Sequence, residues 1–195
     1  MERQLEGWNV LATAKEWRQR ELRALLKPFG AFHWTRFLGV LVGQVPSPEA
    51  LFKELQRKEA EHPGALDPLA RLVPIERTFD FTIENFPERL KEAILPYTER
   101  IGSGSFYLRI ERRGHAGEIN SHEQEVRLGE VLYETLVARG KSPHVNFKDP
   151  DLIIVAEILD NVCGVGDDPP GIANGVPLRS RAMSQRQRER PFPNS

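Results

Sequence analysis

The sequence is poor in the features that mark several large protein classes. It holds one cysteine in 195 residues, so an intrachain disulfide is excluded, and a reducing compartment such as the cytoplasm is expected. No apolar run approaches the roughly 20 residues that span a bilayer. The opening residues, MERQLEGWNV, are charged and lack the apolar core of a signal peptide. Neither sign of charge dominates: 27 basic and 28 acidic residues leave a formal net charge of −1. A chain that is not basic overall can bind nucleic acid only through local clustering. What is present, 39% hydrophobic and 28% charged residues, is the composition of an ordinary soluble protein with one or two small domains.

Catalytic signatures are also scarce. Gly102-Ser103-Gly104-Ser105 has no following lysine and opens a strand, so it reads as a linker, neither a P-loop nor a dinucleotide fingerprint. There is no G-x-S-x-G elbow. His115, Glu118, His122 and Glu123 form a possible metal cluster, but HEQEV lacks the second histidine of H-E-x-x-H. A polar turn and a helix start explain them better, because Glu123 and Glu125 favour a first helical turn. Cys163 sits in an apolar strand context and reads as a buried structural thiol. No catalytic residue, metal or cofactor is assigned, and the expectation is that the protein is not an enzyme.

The stretch from Phe106 to Asp168 is the most legible. In FYLRIERRGH, Phe106, Leu108 and Ile110 alternate with Tyr107, Arg109 and Glu111, the period of a half-buried strand. After a polar turn, Leu128, Val131, Leu132 and Leu136 recur at helical spacing. Ser121 with Gln124 matches a capping box, and Gly140 stands where a C-terminal cap belongs. Val145 to Phe147 then reads as a short strand, Lys148-Asp149-Pro150 as a turn, and Asp151 to Leu159 as an apolar strand. A last strand lies around Val162. The apolar run belongs in a sheet covered on both faces.

Ahead of it, Trp8 to Thr13 reads as a strand, Ala14 to Phe29 as a helix, and Phe32 to Val45 as a strand broken or bent near Gly39. Ser47 caps a helix from Pro48 to Glu61, with proline in its first turn. Leu72 to Phe81 reads as a strand and Asn85 to Arg100 as a helix. The order β-α-β-α-β suggests a ferredoxin-like or related layer. From Pro169 the composition changes to prolines, glycines and five arginines (Arg179, Arg181, Arg186, Arg188, Arg190), a basic tail expected to be disordered.

The charge clusters that remain are Arg109, Arg112, Arg113 and His115 at the exit of the central strand, with Lys141 and Lys148 on the two later turns. If those turns share one end of the layer, they form a patch suited to phosphates. The bland alternative is a solvated surface with local salt bridges through Glu111 and Glu118. Trp34, Arg36 and Arg77 are further candidates, although a strand tryptophan more often belongs in a core.

FYLRIERRG, the EVRLGEVLYETL helix and HVNFKDPDLIIVAEILDNVCGVG together resemble the THUMP domain, a module of RNA-modifying systems. In the last piece, a short strand, an N-x-x-(D/P)-P-D-type turn and a V-x-(E)-I strand occur in the family's order. The resemblance covers roughly the second half of the chain and is most similar to the stand-alone, Tan1-like type, whose members partner a cytidine acetyltransferase. It implies an α/β (α+β) protein with a ferredoxin-like domain at 1–80, a THUMP-like domain at 81–168 and the tail at 169–195. It also implies recognition of tRNA at the acceptor stem and 3′ end, with a separate enzyme supplying the chemistry. On this reading the protein is a non-catalytic cytoplasmic adaptor, and Arg109, Arg112, Arg113, Lys141 and Lys148 contact RNA. Two alternatives stand beside it: a protein–protein adaptor that does not touch RNA, and a small α/β enzyme.

Overall fold

The structure, a computed structural model, describes residues 7–167; the arginine-rich tail lies outside them. Two mixed layers follow one another along the chain. The first comprises β1 (Val10–Ala14), α1 (Gln19–Leu26), β2 (Ala31–Trp34), β3 (Val40–Gln44), α2 (Pro48–Glu61) and β4 (Leu69–Pro74). Its sheet has the order β2-β3-β1-β4 with every neighbouring pair antiparallel. The second comprises β5 (Arg77–Asp80), α3 (Phe86–Ile94), α4 (Thr98–Ile101), β6 (Ser105–Arg113), α5 (Ser121–Ala138), β7 (His144–Val145), β8 (Leu152–Leu159) and β9 (Val162–Asp167). Its order is β5-β9-β8-β6-β7. β6 is parallel to β7 and to the central strand β8, and β9 is antiparallel to β8 and β5.

Strand alternation decides how the layers stack. Val10 and Ala12 share a core with Leu22 and Leu26 of α1 and Leu51 and Leu55 of α2. Leu11, between them, points the other way and joins Trp8, Val42, Val73 and, from the second sheet, Val155 and Leu159. On β8, Ile154, Ala156 and Ile158 share a third core with Leu90 of α3 and with Leu128, Leu132 and Leu136 of α5. The order through the molecule is therefore helices, sheet, sheet, helices. The apolar run of β8 is covered on both faces, as expected, and its second cover is the first sheet.

Two glycines make that contact close. A Cβ on Gly164 would lie 2.3 Å from the Trp8 ring, and one on Gly166 would lie 1.9 Å from the Pro74 carbonyl oxygen. A charged cluster sits in the same seam. Glu157 has no solvent exposure, and Arg71 Nη1 and Arg113 Nη1 donate to its two carboxylate oxygens at 2.6 and 2.5 Å. Burial pushes the Glu157 carboxyl above its ordinary value, while the two guanidiniums pull it down. Arg71 comes from β4 and Glu157 from β8, so this cluster ties the two sheets.

Several boundaries differ from the sequence reading. The long strand expected over Phe32 to Val45 is a hairpin. Its turn is held by Thr35 N and Thr35 Oγ1 donating to the Val40 carbonyl, with Gly39 at φ 75°. The strand expected over Leu72 to Phe81 is two strands in different sheets. Between them Ile75 N donates to Asn9 O and Glu76 N to Val165 O, so the chain hands over from one ladder to the other. The first helix starts only at Gln19, after a turn in which Trp17 has φ 63°. The helix expected over Asn85 to Arg100 is α3, a 3₁₀ turn at Leu95–Tyr97, and α4. Helix α5 is capped one residue earlier than the capping box implied, by Asn120 accepting from Glu123 N at 3.2 Å. Ser47 caps α2 as expected, accepting from Ala50 N.

Glu157→Gln removes the buried charge that Arg71 and Arg113 share in the seam and is expected to lower stability by about 3 kcal/mol in urea unfolding. Gly166→Ala is expected to cost about 2 kcal/mol by overpacking the same seam. Wild-type midpoints for both variants would contradict this account.

Candidate nucleic-acid interface

The five cations nominated from sequence do not form one patch. β6 and β8 are parallel, so the turn that precedes β8 lies beside the start of β6, with Ser105 aligned to His144 of β7. Lys141 and Lys148 are therefore at the opposite end of the strand from Arg112 and Arg113. Eight residue steps at about 3.3 Å separate those ends by roughly 26 Å. The physical reason is the crossover helix α5, which carries the chain back to the starting edge. Arg113 is bound to Glu157 in the seam, and Arg112 Nη1 donates to the Gly114 carbonyl at 2.7 Å. Arg109, midway along the strand, holds Glu111 at 2.9 Å through Nε.

At the starting end of β6 lies a different arrangement. The segment Asn146-Phe147-Lys148-Asp149-Pro150-Asp151 is folded by its polar members. Asn146 Oδ1 accepts from Lys148 N and Asp149 N at 3.0 and 3.2 Å, and its Nδ2 donates to Asp149 O at 2.7 Å. Such self-bonding is the usual reason for asparagine in a tight turn. Asp151 Oδ2 accepts from Ser105 N and Ser105 Oγ at 2.8 and 2.7 Å, pinning the loop to β6. Between these two anchors, Phe147 is 73% exposed. Its ring meets Tyr107 edge-on at 5.1 Å between centroids, and Tyr107 shares with Arg109 the face of β6 that on neighbouring β8 meets the first sheet, both side chains half-buried. Desolvation holds the Tyr107 hydroxyl above its ordinary value, so it stays neutral.

The Gly102–Gly104 loop borders the same end, where Ser142 N donates to Ser103 Oγ and His144 N to Gly104 O. Lys141, His144 and Lys148 are exposed there. Among the described residues, no salt bridge involves Lys141 or Lys148. An exposed phenylalanine against a half-buried tyrosine, at a loop end that also carries Lys141 and Lys148, can stack a base beside cations that hold phosphates. Phe147 was missed because it was read as the end of a strand; an apolar residue lifted between an asparagine turn and a lysine was the signal available.

The other candidates resolve simply. His115 Nδ1 lies 3.0 Å from Glu118 and its Nε2 lies 2.8 Å from Asn161, whereas His122 lies 3.8 Å from Glu125. No group of three or more metal-ligating side chains is found among the described residues. Cys163 is fully buried, and burial pushes its thiol well above the ordinary value. No helix among the described residues is long and apolar enough to cross a membrane.

Residues 82–168 match the THUMP domain family. This part of the chain is a THUMP domain. No curated protein matches the sequence. Among solved structures, the chain resembles PH1313 from Pyrococcus horikoshii Ot3, with a TM-score of 0.56 and 14% identity over 82% of this chain and 53% of that one. It resembles TrmN from Thermus thermophilus with a TM-score of 0.57 and 21% identity over 81% and 44%. A 4-thiouridine synthetase solved with RNA and ATP gives 0.51 and 12% over 83% and 41%. At these identities the likeness is one of fold, and the chain spans about half or less of each neighbour's length. The expectation that the protein is not an enzyme is overturned here, because this fold is carried by an enzyme, the thiouridine synthetase.

Arg113→Ala is expected to cost about 3 kcal/mol in stability by stripping a partner from buried Glu157. Lys148→Ala and Phe147→Ala, both exposed, are expected to stay within about 0.5 kcal/mol of wild type. Thermal or urea unfolding of the three separates a structural arginine from surface residues.

Proposed function

We propose that the protein binds structured RNA, tRNA above all, through the loop end of its THUMP domain and presents it for nucleotide modification. The observation that carries this reading is Phe147, exposed on a self-bonded loop against Tyr107, at the strand end that also carries exposed Lys141 and Lys148. Phosphate contacts set the register of the RNA, and the aromatic pair receives an unpaired base. That the synthetase with this fold was solved with RNA agrees with it. In its finer form, the RNA contacted is the acceptor stem and 3′ end, and the reaction served is that of a modifying enzyme such as a cytidine acetyltransferase, in the cytoplasm.

The first layer supports a ferredoxin-like reading of the N-terminal unit, because its β-α-β-β-α-β order builds the antiparallel sheet β2-β3-β1-β4. The division we propose falls between Pro74 and Arg77, ahead of the 80/81 boundary expected from sequence, because β5 pairs with β9. A second reading, docking of a protein partner, is favoured by a stripe on α5 where Val126, Tyr133 and Val137 are each more than 40% exposed.

A tRNA titration at two salt concentrations tests the first reading. Phe147→Ala with Lys148→Ala is expected to weaken binding at least tenfold and to lower the salt slope by about 1. Arg112→Ala is expected to bind as wild type does, and tRNA trimmed at its 3′ end to bind more weakly than intact tRNA. Absence of binding at low salt would refute RNA recognition. An unchanged double variant would refute the placement.

A further inference from the structure

A second cluster of free cations lies far along the chain from the THUMP domain, on α1. Arg20, Arg23 and Lys27 recur at spacings of three and four, which puts them on one face of the helix and the turn that follows it. Leu22 and Leu26 are buried beneath. Several cations on other helices are neutralised locally: Arg57 by Glu54 and Glu61, Lys53 by Glu49, Lys91 by Glu88. On α1 the acid is Glu21, and Arg18 holds it. Among the described residues, no carboxylate pairs with Arg20, Arg23 or Lys27. Like charges at this spacing disfavour the helix, so an anion between them relieves a repulsion that the fold otherwise carries.

The three cations line a groove of about 630 Å³ whose other wall is Phe32, His33 and Trp34 of β2. That volume falls within the range of small-molecule sites, about 300–1,000 Å³. Phe32 is buried, but Trp34 is half-buried, with part of its ring packed on the first core and part lining the groove. β2 is an edge strand, paired through its backbone to β3 and to no other strand. Its outer peptide groups are therefore available to the edge of a base.

We infer that this groove binds a nucleotide: phosphate against Arg20, Arg23 and Lys27, base against Trp34. The chemistry combines point and forked cations for the phosphate with an indole face for stacking. Two sources present it, a single-stranded RNA segment and a free nucleotide. This site shares no residue with the THUMP surface and does not depend on the reading given for it.

The test uses the full chain with two probes, a fluorescein-labelled pentaribonucleotide followed by anisotropy and AMP followed by calorimetry. Arg20→Ala with Arg23→Ala, both exposed, is expected to weaken binding at least tenfold with an unchanged far-ultraviolet spectrum. Lys53→Ala with Arg57→Ala, on α2, is expected to leave it unaltered. Binding of the oligonucleotide but not AMP identifies RNA as the source; binding of both identifies a nucleotide site open to either. The inference is overturned if neither probe binds, or if the α1 variant binds as wild type does. It is also overturned if Phe147→Ala with Lys148→Ala abolishes binding of both probes, since the probes then occupy the THUMP face.

Discussion

The structure turns on one carboxylate. Glu157 lies on β8, on the face that meets the first sheet, with no solvent exposure, and two arginines reach it from different directions. An unpaired carboxylate in such a place would be untenable, so the position of Glu157 compels both Arg71 and Arg113 to point inward. Arg71 belongs to the first sheet and Arg113 to the end of β6. The cluster thereby fixes how the sheets face each other and what the last residue of β6 can do. A hydrophobic seam would supply comparable stability; a charged cluster with three set partners also specifies a register, which a patch of valines and leucines does much less.

Around that cluster the seam is built from small parts. Gly164 and Gly166 open room on β9 for Trp8 and for the backbone at Pro74, and Val155 and Leu159 pack against Leu11, Val42 and Val73. Outside the seam, Arg36 pairs with Asp160 across the two units, and Arg100 joins Glu76 to Asp167 at 2.6 and 2.5 Å. One face of the second sheet is therefore occupied by the first layer and the other by helices. On the β6–β7 side the sheet ends in an open edge with its loop end. The proposed RNA contact uses that loop end.

How much of this was legible in the sequence depends on whether the signal was local. Leu128, Leu132 and Leu136 announced α5, Ser47 announced α2, and the alternation in FYLRI announced β6, because each pattern rests on neighbours in the chain. At Thr35–Gly39 the glycine marked an interruption of the strand, but apolar and aromatic residues run on through it and hide the reversal into a hairpin. Leu72 to Phe81 was misread because a change of sheet leaves no trace in hydrophobicity. The site suffered most. Arg113 resembles Arg112 in every local respect, and only the distant Glu157 makes it structural. Lys141 and Lys148 looked like companions of those arginines until the parallel pairing of β6 with β8 put them at the other end. The NFKDPD segment carried the family resemblance through residues that shape the loop, Asn146 and Asp151, while the side chain it presents, Phe147, went unnoticed.

Hydrogen exchange of the full chain with and without tRNA tests this account most directly, because it reports where the RNA sits without altering a residue. Protection is expected in the segments spanning 102–109 and 141–149, the starting end of the parallel strands, with the 112–120 turn unchanged. Protection centred on 112–120, where the sequence alone placed the arginine cluster, would contradict it.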